Sequence, residues 1–181
     1  MKKIIDSSLQ LLKKPFIFKT YNSIFGIEKA NSIVPHLFLG NIESSRDEVF
    51  LQNEYIQSVV NCTENEIFHP QFSKKNTYRI PVKDSKDIEN MRKLYQHLHP
   101  SVLFIDKQIQ KERNVLVHCY WGFMRSATVV GAYLIYKYKM KPNEAILYIK
   151  DRRPHTFNAM YNYGELLNEY YREHISQRIE E

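Results

Sequence analysis

A cysteine at the end of an apolar run and an arginine six positions later carry the most chemical meaning in this chain. The stretch reads Val115-Leu116-Val117-His118-Cys119-Tyr120-Trp121-Gly122-Phe123-Met124-Arg125-Ser126-Ala127-Thr128. Val115 to Val117 is the continuous apolar run expected of a strand buried on both faces, and helical apolar spacing begins at Ala127. A loop of this length between a strand and a helix can curl until its successive backbone N–H groups face a common centre. The positive end of the helix dipole adds to that field. A phosphate held there would accept several N–H bonds from Tyr120, Trp121, Gly122, Phe123 and Met124, and a bidentate pair from Arg125. The same field favours a thiolate at Cys119. A thiolate facing a bound phosphate is placed for in-line attack on phosphorus, giving a covalent phosphocysteine. Gly122 permits the tight turn without Cβ strain. His118 is placed to hydrogen-bond loop carbonyls, and Ser126 to donate to the Cys119 sulfur or to an attacking water. An acid is also required, because an alkoxide or phenolate leaves poorly. Asp84 and Asp87 both follow a short strand, and Asp84 with Ser85 can equally cap a helix starting near Lys86.

The elements that must position these groups alternate between strand and helix. Residues 32–39 read as a short strand with a turn at Gly40-Asn41. Ser45 is suited to cap a helix through Gln52, helped by Asp47 and Glu48 in its first turn. Residues 58–62 and 77–82 read as further strands. Ile88, Met91, Leu94, Tyr95, Leu98, Val102, Ile105 and Ile109 hold the three-and-four spacing of a long amphipathic helix, which Pro100 should kink or split at His99. Helices are expected over residues 127–138, 142–152 and 159–175, with Pro142 suited to a first turn. The sum is an α/β domain: a mostly parallel central sheet flanked by helices, with its site at the C-terminal ends of the strands.

Outside that alternation, Ile4, Ile5, Leu9, Leu11 and Leu12 form a helical stripe ended by Lys13-Lys14-Pro15. The expected organisation is an N-terminal helical extension over 1–28, a catalytic domain over 29–176 and a charged tail over 177–181. The extension is read as docking on the core, in preference to a partner or a membrane surface. The chain has 181 residues, 43% hydrophobic and 25% charged, the size and composition of one globular domain. Its net charge of +6 favours anionic partners without choosing among them. Two cysteines, Cys62 and Cys119, exclude a disulfide scaffold and a cysteine-based zinc site. His97 and His99 stand two apart and make a poor metal pair. No metal and no cofactor is implied. No stretch reads as a signal-peptide core or is long enough to span a membrane. A reducing intracellular setting follows, with the cytoplasm first and the nucleus open. There Cys62 reads as a small buried core residue, the alternative being a reversible disulfide with Cys119.

The central segment resembles the His-Cys-(five residues)-Arg-Ser/Thr signature of the protein tyrosine phosphatase superfamily, in the variant of the dual-specificity phosphatases. Pro35-His-Leu-Phe-Leu-Gly-Asn41, Val59-Val-Asn-Cys-Thr63, Tyr78-Arg-Ile-Pro-Val-Lys-Asp84 and the helix from Ala145 to Arg153-Pro154 resemble further family segments, in the family's order. The resemblance implies that family's fold, Cys119 as nucleophile, Arg125 as phosphate clamp and Asp84 as general acid. Asn158 stands where family members often have a supporting Asn. The implied substrates are phosphorylated proteins carrying phosphotyrosine or phosphoserine/phosphothreonine. Trp121 and Met124 depart from the Ala and Ser common in family loops. The loop also lacks the Lys usual in phosphoinositide phosphatases. RNA 5′-phosphatases of the same chemistry resemble Asn-Arg-Thr-Gly where this chain has Met-Arg-Ser-Ala, so no nucleic-acid partner is expected. That enzyme and a non-catalytic phospho-residue binding module are the alternatives.

Overall fold

A computed structural model describes residues 26–85, 87–158 and 162–176. The expected helix over residues 4–12, residue 86 and the tail from 177 lie outside them. Among the described residues five strands form one sheet: β1 (Ala30–Val34), β2 (Leu37–Gly40), β3 (Ile56–Asn61), β4 (Thr77–Arg79) and β5 (Asn114–His118), in the order β1-β2-β5-β3-β4. The β2–β5, β5–β3 and β3–β4 pairs are parallel, and β1 lies antiparallel to β2 at the edge. The single strand expected over residues 32–39 is therefore a hairpin. Pro35 cannot donate to a ladder and His36 adopts a positive φ of 66°, so the chain reverses between them. The strand expected over residues 77–82 ends at Arg79, although the Ile80 N–H still reaches the Asn61 carbonyl at 2.9 Å.

Alternation along the strands divides the apolar side chains between two faces. Leu37, Leu39, Val60, Val115 and Val117 face the larger core, whereas Phe38, Val59 and Leu116 join Leu51 and Ile56 on the other side. Among the described residues five α-helices accompany the sheet: α1 (Glu48–Asn53), α2 (Ile88–Ile109), α3 (Arg125–Tyr138), α4 (Pro142–Arg152) and α5 (Tyr163–His174). The cap of α1 is Asp47, whose carboxylate accepts from the Phe50 N–H at 3.1 Å. Ser45, expected in that role, instead donates to the Ile42 carbonyl at 2.9 Å. Helix α2 is not split: it runs unbroken through Pro100. Pro100 and Gln96, whose carbonyl loses its partner, are both exposed, so water can satisfy the freed group. Helix α3 buries every residue from Arg125 to Ile135. It crosses α5 closely at Gly131, where a Cβ would stand 2.7 Å from a Leu167 methyl carbon. Helix α5 begins at Tyr163, after a non-helical Asn162; residues 159–161, where it was expected to begin, lie outside the described ones.

Candidate active site

The C-terminal ends of β2, β3 and β5 converge on the loop between β5 and α3. Strand β5 sits between β2 and β3, so His118 pairs in register with Gly40 on one side and Asn61 on the other. The Cys62 N–H then donates to the His118 carbonyl at 2.8 Å, and the Ile42 N–H to the Tyr120 carbonyl at 3.1 Å. The loop is thus gripped from both neighbouring strands at the point where it must leave the sheet.

Inside it, Cys119 is buried, and its sulfur accepts from the Gly122 N–H at 3.2 Å and from the Ser126 hydroxyl at 3.2 Å. Burial by itself would raise the thiol's pKa. The Arg125 charge, then the Ser126 hydroxyl and N–H, outweigh it, and the thiol lies below its ordinary value. Removing one donor should be visible: Ser126→Ala should move the acidic limb of the kcat/KM profile to higher pH. The sign follows because loss of a bond to the thiolate favours the thiol. A titration of the thiolate's ultraviolet absorbance measures the same shift in the free protein, and an unmoved limb would remove Ser126 from this role.

Gly122 is obligatory in this geometry. Its φ is 75°, and a Cβ there would stand 2.6 Å from the Gly40 carbonyl oxygen and 2.8 Å from an Arg153 nitrogen. Arg153 is a residue whose part in the site the sequence reading did not assign. It is 2% exposed, donating through Nε to the Gly122 carbonyl at 2.9 Å, and through its terminal nitrogens to Trp121 (3.4 Å), Glu28 (3.0 Å) and the Asn31 carboxamide (2.5 Å). With two loop carbonyls held by Arg153, the Gly122 N–H points toward Cys119. The Arg153-Pro154 pair at the end of α4 was the visible signal, but nothing in spacing indicates a guanidinium folded back under the loop. Through Glu28 the same network reaches into the stretch assigned to the N-terminal extension.

Arg125, the first residue of α3, is 3% exposed. It donates to the Cys62 and Val82 carbonyls, each at 3.2 Å, and to Asp84 Oδ2 at 3.0 Å. Its Nε has no hydrogen-bond partner among the described residues. Burial opposes its charge, yet Cys119 and Asp84 together raise its pKa, so it stays a cation. Asp84 enters the site from the loop after β4. Asp87, the competing acid, lines neither cleft at the site and caps α2, accepting from the Glu89 N–H at 3.1 Å and the Asn90 amide at 3.2 Å. The Ser85 hydroxyl, not Asp84, accepts from the Asp87 N–H at 3.0 Å.

His118 is fully buried, and burial with the nearby Arg79, Arg125 and Arg46 charges pushes its pKa down to about 3, against a hydrogen bond to the Cys119 backbone. It is therefore neutral, and its Nδ1 has no partner among the described residues. Asn61, not singled out from sequence, shapes the neighbouring turn. Its carboxamide oxygen accepts from the Thr63 N–H at 3.0 Å and hydroxyl at 2.6 Å, and its nitrogen donates to the Glu66 carbonyl at 2.9 Å.

Cys119 opens into a cleft of about 630 Å³ lined by Asp84, Trp121, Phe123, Met124, Lys150 and residues 154–156 and 158. Asn158 thus lies on the same cleft, brought there by the Phe157 N–H bonding the Phe123 carbonyl at 3.1 Å. Trp121 stacks near Phe123, centroids 6.5 Å apart, and His155 tilts against Phe123 at 5.7 Å. A second cleft of about 530 Å³, on the far side of Asp84 and Trp121, holds Tyr120, Arg125, Glu64 and Glu66. A thiol, a guanidinium, a carboxyl group and the Gly122 N–H are therefore brought together at the end of β5, groups that thiolate attack on a phosphoryl group would call on.

Residues 37–173 match a family model described as dual specificity phosphatase, catalytic domain. The chain is 34% identical over 137 residues to mouse dual specificity protein phosphatase 8, covering 75% of this chain and 20% of that protein. It spans about a fifth of the length of that and similar curated relatives. Among solved structures, DUSP15 aligns with a TM-score of 0.72 at 23% identity, covering 83% of this chain and 93% of that one. The human tyrosine phosphatase-like serine/threonine/tyrosine-interacting protein aligns at 0.68 and 26% identity, covering 81% and 98%. With the strand–loop–helix site inside the matched region, this chain belongs to the dual specificity phosphatase catalytic-domain family.

Proposed function

We propose that the chain is a protein phosphatase that hydrolyses phosphate monoesters on protein side chains through a phosphocysteine. The observation that carries this reading is the convergence of the Gly122 N–H and the Ser126 hydroxyl on the Cys119 sulfur, with Asp84 lining the same cleft and paired to Arg125. The Cys119 thiolate attacks phosphorus while the P–O bond to the substrate breaks. Asp84, in its protonated form, gives its proton to the leaving oxygen. Arg125 and the inward N–H groups of the loop hold the equatorial oxygens, where charge accumulates. Asp84, now a carboxylate, then takes a proton from water, which attacks the phosphocysteine, releasing phosphate and restoring the thiolate. The substrate-binding loop is Tyr120 to Arg125, and its aromatic rim fits a side chain presented from a protein surface. A nucleophilic thiolate needs a reducing compartment to survive, which supports an intracellular location. Among the described residues no helix is long and apolar enough to cross a membrane.

The test is phosphate release from phosphotyrosine, phosphothreonine and phosphoserine peptides beside a 5′-triphosphorylated RNA, with EDTA present. Metal-independent release from peptides is expected. Asp84→Ala should lower peptide turnover at least tenfold, toward about a hundredfold, while binding persists, and Asp87→Ala should not. Peptide binding without any release would instead support a binding module, and release from the RNA alone would support the RNA enzyme.

A further inference from the structure

The two clefts at the site differ in charge, and the difference centres on Lys150. In the cleft that contains Cys119, the lining carboxylate is Asp84, already engaged by Arg125. The lining lysine is Lys150, half-buried in the last turn of α4. Among the described residues its side chain has no hydrogen bond and no ion pair. Its basic neighbours are committed. Arg152 lies 3.6 Å over the Tyr148 ring and donates to the Tyr148 carbonyl, while Arg153 is folded under the loop. The cleft across Asp84 and Trp121 carries Glu64 and Glu66 beside Lys83 and Arg125, with Glu66 paired to Arg46 and Glu64 lying 4.0 Å from Lys83. An ammonium without a carboxylate partner, lining the cleft that holds Cys119, is an unmatched charge that an incoming anion would complete.

We propose that Lys150 is a specificity-determining residue that receives an acidic side chain of the substrate close to the phosphorylated residue. This deepens, and rests on, the phosphopeptide reading above. The alternative is that Lys150 only complements the C-terminal dipole of α4, which would alter stability and leave peptide preference untouched.

The experiment compares kcat/KM for three phosphotyrosine peptides that differ only in flanking residues: acidic, alanine or lysine. The wild type should prefer the acidic peptide over the alanine one by about fivefold, as expected for one partly exposed ion pair. The preference should lie in KM and shrink as salt is added. Lys150→Gln should abolish it, Lys150→Glu should invert it in favour of the lysine peptide, and Lys150→Arg should keep it. A wild type indifferent to the flanking charge, or a preference that survives both Lys150→Gln and Lys150→Glu, overturns the inference alone. Hydrolysis of none of the three peptides overturns the phosphopeptide reading and the inference with it.

Discussion

Cys119→Ser is expected to reduce phosphate release from any phosphopeptide substrate by about 10⁴-fold or more, with peptide binding retained. The substitution exchanges a thiol whose pKa lies below its ordinary value for a hydroxyl that stays protonated across the working range. The field that favours the thiolate here, set by Arg125 and Ser126 against the penalty of burial, cannot bring an alcohol within reach of ionisation. Serine is close to cysteine in shape, so the Gly122 N–H and Ser126 hydroxyl keep an acceptor and the loop keeps its form. Two measurements separate the roles. Rapid acid quench of the wild type with a phosphate-labelled peptide should trap label on the protein, and the serine variant should trap none. Calorimetric titration with the same peptide should give comparable affinity for both. Substantial turnover by the serine variant would show that Cys119 is not the nucleophile.

Arg125→Lys should lower kcat/KM by about 10³-fold and should also destabilise the fold, by about 1–3 kcal/mol. The two effects have different causes. For catalysis, a lysine keeps one positive charge but loses the planar fork that meets two phosphate oxygens at once. For stability, the guanidinium is what satisfies the Cys62 and Val82 carbonyls and pairs with Asp84, all at 3.2 Å or less. A single ammonium cannot reach all three, and buried acceptors are left without donors. Phosphate release and the denaturant midpoint should therefore fall together. A variant with normal activity and lowered stability would make Arg125 a structural strut only.

Asp84 shows how far the local sequence could lead. Two aspartates three positions apart were both credible acids, and motif position alone favoured the first. The fold separates them physically: Asp87 spends its carboxylate on the first turn of α2, while Asp84 meets Arg125 across the cleft. The hairpin at Pro35-His36 went unread because its reversal depends on a positive φ at a histidine. Non-glycine residues seldom adopt that conformation, even histidine, which does so more often than most, and composition does not signal it. Pro100 does not split the helix as one of its two expected effects would have it. Proline removes one helical hydrogen bond, and here both residues concerned face water, which can satisfy the freed carbonyl.

What the sequence by itself determined is the local frame of the candidate site: a buried strand, a six-residue step from thiol to guanidinium, a helix behind them and the α/β alternation that puts the loop at a sheet's C-terminal edge. These depend on spacing along the chain, which periodicity and residue type record directly. What only the tertiary structure decided is which distant groups complete the site. Arg153 reaches the Gly122 carbonyl across 31 positions and the Asn31 side chain across 122, and Lys150 comes to line the cleft of Cys119. Such pairings are set by how α4 packs beside β1 and the loop. The energy that selects them belongs to burial and to satisfied polar groups across the whole core, and no stretch of sequence contains it.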